Sequence, residues 1–261
     1  MIRKLLLALS SATLALCACA EARPEPDNVT TPQSAEPNAT TTTEPAPAEI
    51  NSPGEGYRAG GNEPFWQVRF IGSEMLFEDI GMERTARAPR PVPEVASNGW
   101  RYVASAGDRP FIVAVERRFC QDSMSARPFP HSVTVTANGS VFEGCGGDTA
   151  SLLTGGEWSV AAIGGQPVAR GSGPTMLFGA DGSIGGDSTC NRYTASYEIA
   201  GDGGLAIGPA GGTERACAEP ALNDQEARFY AALPRADRFD IAENGRLRLY
   251  AMDEVILEAR R

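Results

Sequence analysis

Apolar residues along most of this chain recur with a period of two, and pairs of turn residues stand between the runs. Residues 65–70 read Phe-Trp-Gln-Val-Arg-Phe, and residues 75–77, 100–103, 111–115, 132–136 and 141–143 follow with similar short apolar patterns. Such runs are half-buried strands, because successive side chains of a strand point to opposite faces. Asn138-Gly139, Asp181-Gly182 and Asn244-Gly245 supply the positive φ angles that two-residue hairpins need. Beyond residue 156 the strand candidates are 158–163, 175–178, 183–186, 193–199, 205–207, 238–241, 246–250 and 255–258. One segment has helical spacing instead: Ala221, Leu222, Gln225, Phe229, Ala232 and Leu233, bounded by Pro220 and Pro234. The fold class expected is mainly β, α+β in its second half. Residues 57–150 would form an antiparallel β-sheet or small barrel. Residues 156–261 would form a second antiparallel β-domain with one helix.

The N-terminus sets the expected compartment. Arg3 and Lys4 precede an apolar run over residues 5–16. That run is too short for a ~30 Å hydrocarbon core but suits a signal-peptide h-region. It ends in Leu16-Cys17-Ala18-Cys19-Ala20. With an apolar residue at −3, a small one at −1 and cysteine at +1, Cys19 satisfies the lipoprotein signal-peptidase pattern; Cys17 would place bulky Leu16 at −1. Residues 1–18 are therefore read as a lipoprotein signal peptide and Cys19 as the acylated residue, the alternative being an ordinary secretory signal with incidental cysteines. Several acyl chains anchor stably where one binds marginally. Ala20 at +2, not Asp, points to the outer membrane with the protein facing the periplasm. Residues 19–56 are rich in Pro, Thr, Glu, Ala and Asn and nearly lack large apolar side chains. They are expected to be a disordered tether that as a flexible coil reaches roughly 35 Å.

Charge excludes one class of partner. Loss of the leader removes Arg3 and the only lysine, Lys4, leaving 33 acidic residues against 21 of the 23 basic ones. A chain with no basic stripe is a poor nucleic-acid binder. The membrane enters through the lipid anchor, not through electrostatic docking on anionic lipid.

Four cysteines lie beyond the lipobox: Cys120, Cys145, Cys190 and Cys217. In an oxidising compartment an even count reads as disulfides, with three connectivities open. The division into two domains favours Cys120–Cys145 and Cys190–Cys217, each worth on the order of 3.5 kcal/mol in the chain-entropy model. No Cys-x-x-Cys occurs and His131 is the sole histidine, so neither a metal nor a cofactor is expected.

Residues 156–259 carry a family resemblance. It rests on Trp158, Gly165-Gln-Pro-Val168, Pro174-Thr-Met-Leu-Phe178, Asp181-Gly182, Cys190-Asn191-Arg192-Tyr193, Tyr197, residues 205–208, Thr213, Cys217 and the helix through Phe229 and Leu233. This segment resembles the META domain, the fold of the HslJ-type heat-shock lipoproteins. The family usually has glycine directly before its Cys-Asn, where Thr189 stands here, and often glycine at Ala195. The resemblance implies an envelope protein linked with stress, antibiotic tolerance, secretion or motility, without an agreed molecular activity. The first half resembles an uncharacterised bacterial lipoprotein family through Gly61-Asn62-Glu63-Pro64-Phe65-Trp66, Cys120-Gln-Asp-Ser-Met-Ser125, Phe129-Pro130 and Gly144-Cys145.

Candidate recognition residues are Asn62, Glu63 and Trp66, since an exposed aromatic beside polar groups makes a contact surface, and Asn191 and Tyr193. Each competes with a structural role: a Trp at a strand start is commonly core, and Asn suits a left-handed turn. Ser123 or Ser125 with His131 could make a hydrolase, oriented by Asp122, Glu143 or Asp148, but no Gly-x-Ser-x-Gly elbow is present. The function expected is a non-enzymatic envelope binding or stress-protective module, with an envelope protein or a small apolar ligand as partner. The alternative is an inhibitor of an envelope-attacking hydrolase, and the third reading is a Ser/His hydrolase.

Overall fold

The computed structural model describes residues 52–200 and 203–261. The leader, Cys19 and the tether through residue 51 lie outside the described residues. Among those described, no helix is long and apolar enough to cross a membrane.

The first half is an antiparallel sheet built from β1 (Arg58–Asn62), β2 (Phe65–Ile71), β3 (Glu74–Asp79), β4 (Arg84–Pro89), β5 (Glu94–Ala96), β6 (Gly99–Ala106) and β7 (Arg109–Glu116). A short hairpin, β8 (Cys120–Gln121) with β9 (Pro128–Phe129), precedes β10 (His131–Ala137) and β11 (Ser140–Gly146). The sheet runs β4-β3-β2-β1-β11-β10-β7-β6-β5. Because β4 approaches β6 and β7, it curls into a half-barrel. The period-two pattern decides what lies inside: Trp66, Val68 and Phe70 from β2, Met75 and Phe77 from β3, Phe111, Val113 and Val115 from β7, and Val133 and Val135 from β10. Phe77 packs against Phe142 at 4.8 Å and Phe70 against Tyr102 at 4.9 Å. These separations lie in the favourable range for aromatic pairs.

The second half is β12 (Trp158–Ile163), β13 (Gln166–Pro167), β14 (Thr175–Phe178), β15 (Ser183–Asp187), β16 (Arg192–Ile199), β17 (Leu205–Ile207), β18 (Gly211–Gly212), α1 (Pro220–Ala232), β19 (Arg238–Ile241), β20 (Leu247–Ala251) and β21 (Glu254–Arg260). The main path is β17-β16-β15-β14-β12-β21-β20-β19. Gly204 bridges Arg238, and the Leu205 amide donates to the Asp237 carbonyl at 2.8 Å, so the two ends of the path meet. Helix α1 begins with proline, whose missing N–H costs nothing at that position. It buries Phe229 and Ala232 in the core, joined by Leu233 just beyond its end. The chain is mainly β throughout, with this as its one α-helix among the described residues.

Two boundaries differ from the sequence expectation. Ser52–Gly56, assigned to the tether, is laid against the first sheet: Pro53 is buried and its carbonyl accepts the Tyr102 hydroxyl at 2.5 Å. Composition alone hid this, because Ser52–Gly56 carries no large apolar side chain. At the junction, Leu153 is fully buried in the second core, three residues ahead of the expected start at 156. Its carbonyl accepts Trp158 Nε1 at 2.9 Å and Arg261 Nη2 at 2.6 Å. The halves meet where β9 approaches β19, and the Arg127 side chain packs so closely on Gly203 that a Cβ there would lie 2.6 Å from it.

Candidate functional site

The turns β1–β2, β3–β4 and β10–β11 share one end of the half-barrel, and the first sequence motif lies there. Glycine makes this end possible. A Cβ on Gly61 would stand 2.4 Å from Trp66 Nε1, and one on Gly144 would stand 2.1 Å from the Gly60 carbonyl oxygen. Without those atoms β1 and β11 close over the indole, whose Nε1 donates to the Glu143 carbonyl at 3.2 Å. Trp66 is thereby buried, and its ring forms part of the core and not of the surface. Phe65, one residue earlier, alternates outward. The Ile80 amide donates to its carbonyl at 2.9 Å, which sets Ile80 beside it. Buried Asp79 holds the following turn, accepting the Met82 amide at 3.3 Å and Arg84 Nη2 at 2.7 Å. Phe65, Ile80 and Met82 are 51%, 59% and 65% exposed.

The second motif comes to the same place. The Cys120–Cys145 disulfide, with Cα atoms 5.5 Å apart, ties the β8–β9 hairpin to β11. Asp122 organises the loop: Oδ1 accepts the Ser125 amide at 2.7 Å, the Ser125 hydroxyl at 2.7 Å and the Met124 amide at 3.0 Å. Asn62 Nδ2 donates across to Asp122 Oδ2 at 2.7 Å and to Ser123 Oγ at 3.2 Å. Burial opposes ionisation of Asp122, but the hydrogen bonds from Ser125, Asn62 and Met124 together outweigh it and hold the carboxyl below its ordinary range. Two motifs about sixty residues apart thus form one surface, and the loop adds Met124, 68% exposed, to it. Glu63 is exposed on the turn between Asn62 and Phe65.

The serines and His131 are not brought together. Ser123 Oγ meets Asn62 and Ser125 Oγ donates to Asp122. His131 lies at the start of β10, with Nδ1 3.3 Å from the Tyr57 hydroxyl and its ring edge-on to Trp100 at 5.9 Å. Burial, reinforced by the nearby Arg117 guanidinium, lowers its pKa, which favours the neutral imidazole. Among the described residues neither serine hydroxyl is hydrogen-bonded to it, and no three His, Cys, Asp or Glu side chains are grouped to hold a metal.

In the second half, Asn191 and Tyr193 lie inside. The Cys190–Cys217 disulfide is formed with Cα atoms 5.5 Å apart. Asn191 Nδ2 donates to Glu226 Oε2 and to the Arg215 carbonyl, both at 2.8 Å, while its Oδ1 accepts the Arg215 amide at 2.7 Å and the Thr213 hydroxyl at 2.8 Å. Every hydrogen-bonding position of that amide is used. Tyr193 donates to the Thr175 carbonyl at 3.0 Å and packs edge-on to Phe229, and burial pushes its pKa up. These two residues fasten the Cys190 loop to α1 and leave nothing for a ligand. Glu226, acceptor for the Ser188 hydroxyl and the Cys190 and Asn191 amides, was not singled out in the sequence. A buried acid on the apolar side of a helix, one position after Gln225, was its only signal. Between the halves a cleft of about 340 Å³ opens, walled by Arg127, Asp237, Arg238 and Asp253. Pro128, Phe239 and Met252 line it beside these charges.

Residues 151–261 match the family model of the META domain. The match begins two residues before Leu153, the first side chain of the second core. No curated protein matches the chain. One solved NMR structure is 23% identical over 43% of this chain and 95% of its own, with a TM-score of 0.36. A second NMR structure, from Burkholderia xenovorans, is 27% identical over 43% of this chain and 85% of its own, also with a TM-score of 0.36.

Proposed function

We propose that this chain is a non-enzymatic lipoprotein of the cell envelope, acylated at Cys19 and facing the periplasm from the outer membrane, in which the META domain accompanies a binding module. The observation that carries this reading is the Asn62–Asp122 bond, which joins two distant motifs into one surface and leaves Phe65, Ile80, Met82 and Met124 exposed around it. Large apolar side chains gathered on a surface cost solubility and mark contact sites. The loop is held by a disulfide and an Asp122 cap before any partner arrives, so little ordering entropy opposes binding. Stress protection and the META half are linked only through the family.

The test is a photo-crosslinking amino acid at Phe65 in envelope preparations, with the same group at exposed Leu177 on β14 as control. A discrete adduct at Phe65 that Asn62→Ala abolishes is expected. Identical labelling from both positions would refute the surface. The stapled loop at residues 121–126 also favours the second reading, an inhibitor that presents this loop to a hydrolase cleft. Loss of inhibition on Met124→Ala would separate that reading from general binding.

A further inference from the structure

We propose that the occupant of this face is a cationic amphipathic segment of a partner protein, an inference that rests on the binding surface assigned above. Its centre is Phe65 with Ile80 beside it, and Met82 on the adjoining turn. Its rim is acidic. Glu63 precedes Pro64 on the β1–β2 turn, and Glu83 follows Met82. Gly61 lies so close to Glu143 that a Cβ on it would stand 2.6 Å from the Glu143 carbonyl oxygen, which brings Glu143 to the end of β1, and all three glutamates are exposed.

The pattern of ion pairs makes this rim unlike its surroundings. On the same strands Glu78 is met by Arg69 at 2.8 Å, Asp79 by Arg84 at 2.7 Å and Glu74 by Arg87 at 3.3 Å. Among the described residues, Glu63, Glu83 and Glu143 have no such partner. Arg84, the nearest base in the chain to Glu83, is committed to buried Asp79. The β6–β7 turn at this end brings Asp108 and Arg109, one charge of each sign. Apolar side chains ringed by unmatched carboxylates suit a segment that alternates apolar with Lys or Arg. They repel a negatively charged membrane or a second copy of this chain, whose net charge is −10. Apolar anchors would supply the affinity and the carboxylates the choice of partner and the association rate.

The experiment uses the full chain with Cys19→Ser, which changes nothing among the described residues. It is titrated with a short Lys/Leu amphipathic peptide, with its Glu/Leu counterpart, and with vesicles of phosphatidylethanolamine and phosphatidylglycerol, each followed by amide shifts. The Lys/Leu peptide is expected to shift residues 62–65, 80–83 and 141–143. Raising ionic strength from ~0.01 to ~0.15 M, which shortens the screening length from ~30 to ~8 Å, should weaken it about tenfold. Glu63→Gln with Glu83→Gln and Glu143→Gln should weaken it similarly, and Phe65→Ser with Ile80→Ser should abolish it, circular dichroism confirming the fold of each variant. Equal binding of both peptides, unaffected by salt but lost in Phe65→Ser, would overturn the cationic partner and leave the apolar surface standing. Vesicles shifting these amides while peptides do not would replace the partner by lipid. No shift from any probe would overturn both the partner and the surface.

Discussion

Replacing Glu226 by alanine takes an acceptor away from four donors at once: the Ser188 hydroxyl at 2.6 Å, the Cys190 and Asn191 amides at 3.2 and 3.1 Å, and Asn191 Nδ2 at 2.8 Å. The hydroxyl can turn wholly to the Asn191 carbonyl, 3.0 Å away. The two amides and one Nδ2 proton have no such substitute. An orphaned buried donor costs about 1–3 kcal/mol. Water reaching this partly screened site would lessen each penalty, so Glu226→Ala should cost the second half about 3–5 kcal/mol, a large part of a domain's ~5–15 kcal/mol. Glu226→Gln keeps one acceptor oxygen but turns an amide toward Asn191 Nδ2, and should cost less. The carboxylate also gives stability a pH dependence. Burial opposes its ionisation, yet the hydrogen bonds from Ser188, Asn191 and Cys190 outweigh burial and depress its pKa in the folded state. A depressed carboxyl stabilises fully above its unfolded value of ~4.3. That stability is lost as pH falls through the lower folded value. Urea titration with hydrogen exchange read on the β14–β16 segment measures both effects. A loss below about 1 kcal/mol in the alanine variant, or an acid limb unchanged in Glu226→Gln, would refute the reasoning.

Three further outcomes follow. Thr189 has φ 146°, a backbone few β-branched residues adopt, and its hydroxyl accepts Gln225 Nε2 at 3.0 Å. Both Thr189→Ala and Thr189→Gly lose that bond but only glycine relieves the backbone, so in chemical denaturation the glycine variant should be the more stable by about 1 kcal/mol, reversing the usual order. A fragment of residues 151–261 should melt cooperatively with its disulfide formed, whereas 156–261, lacking fully buried Leu153, should be less stable by about 2–5 kcal/mol. The same melts on residues 52–150 test whether the first half folds alone. Cys19→Ser should release the protein or leave it uncleaved; unchanged partitioning into detergent would refute acylation there.

The second half was the more legible in sequence, for a physical reason. Its strands at Trp158–Ile163, Thr175–Phe178, Leu205–Ile207 and Arg238–Ile241 carry large apolar residues and end at turn dipeptides. In the first half, β1 and β4 gave little signal. β1 carries Gly60 and Gly61 and only Ala59 as an apolar side chain, because it must lie against an indole, and β4 turns only Ala86 and Ala88 inward. The short β8–β9 hairpin exists because a disulfide and an Asp122 cap hold it, not because its residues favour strands. The surface proposed for recognition is half legible. Asn62 and Glu63 belong to it, but alternation from Phe65 onward put Trp66 inside and Phe65 outside. The pairing of Asn62 with Asp122 could not be read at all, since nothing local links positions 62 and 122.

Asn62 and Asn191 do similar chemistry to different ends. Each bridges a carboxylate to a loop beside a disulfide: Asn62 joins Asp122 near Cys120–Cys145, and Asn191 joins Glu226 near Cys190–Cys217. Each carboxylate titrates low because it accepts several hydrogen bonds. Around Asn191 the arrangement is buried and every donor and acceptor is used, so its product is rigidity. Around Asn62 the same fastening stands at the surface, and its product is a fixed display of Met124 on the loop fastened to Asn62. Direction follows from β1, which runs from Arg58 to Asn62. Ser52–Tyr57 lies at the first of these ends, where Tyr57 meets His131, and the display lies at the other. The Phe65 face therefore lies at the opposite end of the sheet from Ser52–Tyr57, and contact made there leaves the packing of that segment on the sheet untouched.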